Sequence, residues 1–161
     1  MNNNFPKCLE VILKSEGGYV NDPHDRGGET NMGISKRAFP DVDIKNLTKE
    51  HASAIYKKYY WDKVQGDGLP SGLDLVVFDS AVNSGPAQAV KWLQRSIGVK
   101  DDGVLGPITI MALQKANKAS VIDKFLDQRL TFLKSLSTWS RYGKGWGTRV
   151  EDIRKLAHGM K

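Results

Sequence analysis

Residues 15–35 read SEGGYVNDPHDRGGETNMGIS and join a helical pattern to a strand pattern. Upstream, Phe5, Cys8, Leu9, Ile12 and Leu13 recur at helical spacing and form one apolar stripe. Glu16 is the next position on that stripe, so its carboxyl follows the face that packs inward. Gly17 and Gly18 are expected to end the helix, because glycine accepts the left-handed cap conformation. Partial burial and the unpaired carbonyls of a helix C-terminus both disfavour the carboxylate. A carboxyl held protonated near neutrality is what a general acid requires.

The second half of the stretch supplies partners. Residues 19–20 and 30–34 are expected to pair as two short strands across a turn rich in Asn, Asp, Pro and Gly. Asp25 falls in that turn, where water keeps a carboxylate ionised. Thr30 brings a hydroxyl to the start of the returning strand. An acid at a helix end, a base in a turn and a water-orienting hydroxyl make a set of groups suited to hydrolysis.

The pattern E-G-G-Y-V-N-D-P-x-D-x-G-G-x-T-x-x-G-I, from Glu16 to Ile34, resembles the opening motif of glycoside hydrolase family 108. Members are N-acetylmuramidases common among bacteriophage endolysins. Glu16, Asp25 and Thr30 are also similar to the Glu–Asp–Thr triad of phage lysozymes. Eight residues separate Glu16 from Asp25, as in that triad, and four separate Asp25 from Thr30, one fewer than usual. The resemblance implies a lysozyme-like, mainly helical α+β fold and cleavage of the glycan strands of peptidoglycan.

The 161 residues suit one compact unit, with a catalytic lobe over residues 1–85 and a helical lobe over residues 86–161 packed together. One cysteine, Cys8, excludes an internal disulfide and reads as a small buried hydrophobe. The opening MNNNFPK lacks the apolar core of a signal peptide, and no apolar run is long enough to span a bilayer. The resemblance then implies synthesis in a host cytoplasm and holin-type release to the periplasm and wall. The net charge of +6 is uneven: residues 1–80 hold 10 basic and 12 acidic residues, residues 81–161 hold 14 and 6. A basic half points to an anionic wall polymer or outer-membrane surface, or is simply a solvated face. No helix-turn-helix, zinc or RNA-recognition signature favours nucleic acid. A monomer is expected.

Further along, one helical turn is expected over residues 36–39, before Pro40. Thr48 is a good N-cap for a helix running to about Tyr60. The run Tyr59, Tyr60, Trp61 reads either as core or as rings that stack on sugars. Residues 73–83, apolar nearly all round, make a central helix. Within it Asp79 and Asn83 share a face and need hydrogen-bond partners. Asp79 reads as structural. Asn83, in Asn-Ser-Gly at the helix end, joins Tyr19, Tyr60 and Trp61 as a candidate substrate contact. Pro86 and Pro107 each open a helix. The segment D-G-x-x-G-P-x-T, from Asp102 to Thr109, resembles the signature of peptidoglycan-binding modules that follow the catalytic stretch in family 108. Asp101 and Asp102 lack the further ligands of a calcium loop. Asp22, His24, Asp25 and Glu29 lack a metal-ligand spacing, so no metal or cofactor is expected. Ser120 with Asp123 reads as a capping box for a long helix. An aromatic, glycine-rich segment at 137–147, holding Trp139, Tyr142 and Trp146, precedes a second box, Thr148 with Glu151, for a final helix. The count is about seven helices and one small hairpin.

By resemblance the bond is the β-1,4 link between N-acetylmuramic acid and N-acetylglucosamine. Glu16 is the acid, Asp25 the base, and Thr30 holds water. Carboxylates placed across a cleft with room for water favour inversion. Three rivals are a lytic transglycosylase, a non-catalytic wall-binding module and a membrane-active basic C-terminal helix.

Overall fold

The computed structural model describes residues 3–24 and 28–161. Helix α1 (Phe5–Ser15) buries Phe5, Cys8, Leu9 and Ile12, the stripe read from the sequence, with Leu13 half-buried beside it. Asn4 precedes it but does not cap it. Its Nδ2 donates instead to Asp74 Oδ2 (2.8 Å) and Ser71 Oγ (3.0 Å), far along the chain. Asp74 is fully buried and also accepts from the N–H groups of Gly72 (2.9 Å) and Leu75 (2.7 Å). The start of α1 is thereby tied to the start of the central helix, α3 (Leu73–Ser84).

The chain leaves α1 through Glu16, whose extended backbone (ψ 144°) stops the helix. Gly17 and Gly18 do not take the left-handed conformation expected of them. The chain must run straight into a strand, and an extended residue does that where a left-handed cap would turn it aside. The expected hairpin gains a third strand. Strands β1 (Val20–Asn21), β2 (Glu29–Asn31) and β3 (Ile34–Ser35) pair antiparallel in sequence order. Val20 lies opposite Thr30, and Asn31 opposite Ile34. What divides residues 30–34 into two strands is the two-residue turn Met32–Gly33, with φ of 51° and 81°. Two successive positive φ values make a type I′ turn, whose twist matches that of the strands.

Helix α2 (Lys49–Tyr56) starts at Thr48, whose Oγ1 accepts from His51 N–H (3.1 Å). Its α-geometry ends at Tyr56, short of the expected Tyr60, and continues as one π-helical turn, Lys57–Trp61. Within that turn Trp61 is turned wholly into the core. Its ring packs edge-on to Phe5 (5.4 Å) and Phe78 (5.2 Å), and its Nε1 donates to Asp67 Oδ1 (3.0 Å).

α3 is buried on nearly every face, and α1, α4 (Pro86–Ser96), α6 (Lys118–Ser135) and α7 (Trp139–Gly159) pack around it. One apolar cluster runs from α1 to α7. The segment Asp102 to Thr109 winds around the buried amide of Gln94. Gln94 Nε2 donates to Asp102 Oδ1 (2.9 Å), Val104 O (2.9 Å) and Thr109 Oγ1 (3.2 Å), and its Oε1 accepts from Gly103 N–H (2.9 Å). These bonds seat the start of α5 (Pro107–Lys115).

Two helix starts differ from expectation. Asn117, not Ser120, caps α6, its Oδ1 accepting from Ser120 N–H (3.0 Å). Asp123 binds Arg154 Nη1 (2.7 Å) and contacts His158 Nε2 (3.0 Å) on α7 instead of closing a box. The glycine-rich segment is helical, so α7 is continuous from Trp139, and Thr148 is interior, its Oγ1 donating to Lys144 O (2.9 Å). Packing of Gly143, Val150, Ile153 and Ala157 against the core outweighs the poor helix propensity of glycine.

Candidate active site

The end of α1, the end of α3 and the faces of α6 and α7 enclose a cleft of about 720 Å³. Ser15 and Glu16 form one side, and Asn83 and Ser84 border it. Gly145, Trp146, Thr148, Arg149 and Asp152 of α7 also line it, and Phe132 and Leu133 of α6, with Leu136 just past its end, add apolar surface.

Glu16 is held at this edge by the sheet turn. Met32 N–H donates to Gly17 O (3.1 Å), and Tyr56 Oη donates to Met32 O (2.7 Å). The turn is thus pinned to both the exit of α1 and the end of α2, with Gly33 against the Glu16 side chain. Half-burial raises the Glu16 pKa above the usual glutamate range. The Arg149 guanidinium opposes that shift, and the Asp79 carboxylate adds to it. The direction is the one read from the sequence, and its chief cause is loss of water.

Asp79 lies under the cleft and is fully buried. Its Oδ2 accepts from Arg129 Nη1 of α6 (2.6 Å), and its Oδ1 accepts from Arg149 Nη2 of α7. Arg129 also donates to Ser80 Oγ (3.1 Å). Two guanidiniums thus meet one carboxylate, and their Nε atoms are buried without partners among the described residues. Asn83 Nδ2 donates to Asp79 O (3.1 Å), which fixes the amide at the rim. Asp79 is a structural ion-pair centre that ties α3, α6 and α7 together. It also places charge within reach of Glu16.

Of the candidate catalytic and substrate-binding residues read from the sequence, Glu16 and Asn83 line this cleft. Thr30 sits in the middle strand between Val20 and Ser35, half-buried. Tyr19 is exposed, and its Oη donates to Glu29 Oε2 (2.7 Å). Tyr60 packs on Tyr56 (5.7 Å) and borders a separate shallow groove with Phe39 and Tyr59. Trp61 is enclosed in the core and offers no face for stacking on a sugar. Asp25 lies outside the described residues. Sequence reasoning missed Arg149 and Asp152. No local pattern announces that α7 lines the same cleft as the end of α1.

Residues 9–85 match the family model Glycosyl hydrolase 108, and residues 88–151 match Predicted Peptidoglycan domain. The solved structure of Brucella abortus SagA is similar at 44% identity and a TM-score of 0.88, over 96% of this chain and 93% of that one. No curated protein matches the chain.

Proposed function

The chain belongs to the glycosyl hydrolase 108 family, and from that membership we propose that it cleaves the β-1,4 bond from N-acetylmuramic acid to N-acetylglucosamine in bacterial peptidoglycan. The observation that carries this reading is Glu16. It is a half-buried carboxyl with a raised pKa at the edge of a cleft in the size range of a ligand site.

In this reading Glu16 protonates the glycosidic oxygen as the bond to the sugar breaks. Arg149 limits how far the proton is held, so the acid can still release it. Asp25, which falls between β1 and β2 in the sequence, activates water, and Thr30 on β2 orients that water. Water attacking from the face opposite Glu16 inverts the anomeric carbon. The family motif supports a role as a phage endolysin that meets its substrate after holin-type release and lyses the host. The excess of basic residues beyond residue 80 suits an anionic wall polymer or outer-membrane surface.

Digestion of purified peptidoglycan by the wild type and Glu16→Gln, read by mass spectrometry, tests this. Reducing N-acetylmuramic ends from the wild type alone are the expected result. A loss of roughly 10²–10⁴-fold in rate is expected for the variant. Anhydromuramic ends would make the enzyme a lytic transglycosylase, and no new ends would remove the enzymatic reading.

A further inference from the structure

Gly143, Gly145 and Gly147 fall at alternate positions inside α7. Glycine weakens a helix interior relative to alanine, so each needs a reason. For Gly143 the reason is packing: a Cβ there would come within 2.5 Å of Trp139 Cε2. Gly147 lies against the same ring, with Trp139 Cη2 3.8 Å from where its Cβ would be. Gly145 has no such neighbour. Among the described residues a Cβ would meet nothing within 4 Å, and its φ is not positive. Neither packing nor backbone conformation requires glycine there. What Gly145 borders is the cleft that holds Glu16.

The periodicity of α7 extends this point. Gly145, Thr148, Arg149 and Asp152 follow one helical face, and all four line the cleft. Trp146 lines it too, half-buried, with its ring stacked on Tyr142 (5.5 Å, 28° between planes) and tilted against Trp139 (6.3 Å, 47°). A ring held by two aromatic neighbours loses little freedom when a ligand covers it. Arg129, which also lines the cleft, is 3% exposed, and its Nε has no partner among the described residues. Buried donors are rarely left in that condition.

We propose that Gly145 and Trp146 form a saccharide-binding platform on α7, in the cleft that Glu16 also lines. An N-acetylhexosamine ring lies on the indole with its apolar face, and the missing side chain at Gly145 leaves room for the substituents of that ring. The Asp152 carboxylate and the Thr148 hydroxyl accept from sugar hydroxyl or acetamido N–H groups. The segment matched as a peptidoglycan domain thus furnishes one wall of the catalytic cleft. This rests on the glycan substrate proposed above.

The test uses the full chain and a soluble peptidoglycan tetrasaccharide. Gly145→Ala is expected to raise Tm, since alanine favours the helix, and yet to raise KM several-fold with kcat within about a factor of two. Gly145→Leu is expected to raise KM by more than tenfold. Trp146→Ala is expected to raise it about as much, and Trp146→Phe to restore most of the loss. If every variant keeps the wild-type KM while the wild type turns over, the platform is wrong and the glycan reading stands. If the wild type neither binds nor cleaves the fragment, both fall. A lower Tm for Gly145→Ala at unchanged KM would show that the glycine serves the fold, which overturns the proposal.

Discussion

Gly33 lies directly against Glu16: a Cβ on Gly33 would stand 2.8 Å from Glu16 Cγ and 2.5 Å from Tyr56 Oη. The turn residue and the acid share one space, so the hairpin sets where the carboxyl sits. Gly33 also needs its positive φ of 81°. Gly33→Ala is therefore expected to cost about 1–3 kcal/mol through backbone strain alone. It should also displace Glu16 and lower turnover by more than the fraction of protein unfolded. Urea unfolding and initial rates on the same sample check both. Unchanged turnover would separate the turn from the acid.

Glu16 should also act on stability. Its pKa is raised in the fold, so the folded state holds a proton that the unfolded chain gives up at lower pH. Stability is lost as pH rises from the ordinary glutamate value of about 4.3 through the folded value. Glu16→Gln should have a higher Tm than the wild type near neutral pH, and the gap should close in acid. Tm measured across pH reads this directly. A Gln variant less stable than the wild type at neutrality would contradict it.

Arg149 favours the charged form of Glu16. Removing its charge in Arg149→Gln should raise the Glu16 pKa further. A general acid works protonated, so the alkaline limb of kcat/KM should move to higher pH. A shift to lower pH would show that Arg149 does not act on Glu16 through charge.

Asp79→Asn removes the carboxylate from between two guanidiniums, one of them almost fully buried. Breaking a buried pair from one side typically costs about 3–5 kcal/mol. Because Asp79 raises the Glu16 pKa, the alkaline limb should move down in any active protein. Chemical denaturation and the pH profile read the two effects separately.

The start of α6 gives a sharper test of helix capping. Asn117→Ala removes the side-chain acceptor of Ser120 N–H and should cost about 0.5–2 kcal/mol. Ser120→Ala removes a hydroxyl with no part in the cap and should stay within about 0.5 kcal/mol of the wild type. Equal losses would return the cap to Ser120.

Some of this structure can be read from neighbours along the chain. The apolar stripe from Phe5 to Ile12 put Glu16 on an inward face. Thr48 announced its helix, and the all-apolar run from Leu73 announced the central one. Elsewhere competing local signals were settled by distant partners. Asn117 and Ser120 are both good caps, and Asp123 was drawn away by Arg154 and His158 on α7. Trp61 read either as core or as a platform until a π-helical turn placed it between Phe5 and Phe78. The glycine-rich segment stood apart from the final helix in the sequence, and core packing along α7 made the two one helix.

Sequence order alone, from Phe5 to Ser35, specifies one edge of the cleft. It placed an acid at a helix end, followed by a strand-turn-strand pattern, and a burial tendency strong enough to raise that acid's pKa. These follow from residue type and spacing within a few turns of chain. The rest of the cleft depends on how distant helices pack. Arg149 and Asp152 face the cleft because α7 packs across α3 and α6, and the Asp79 ion pairs draw the three together. That arrangement depends on how side chains of remote helices interlock, and no stretch of sequence records it locally.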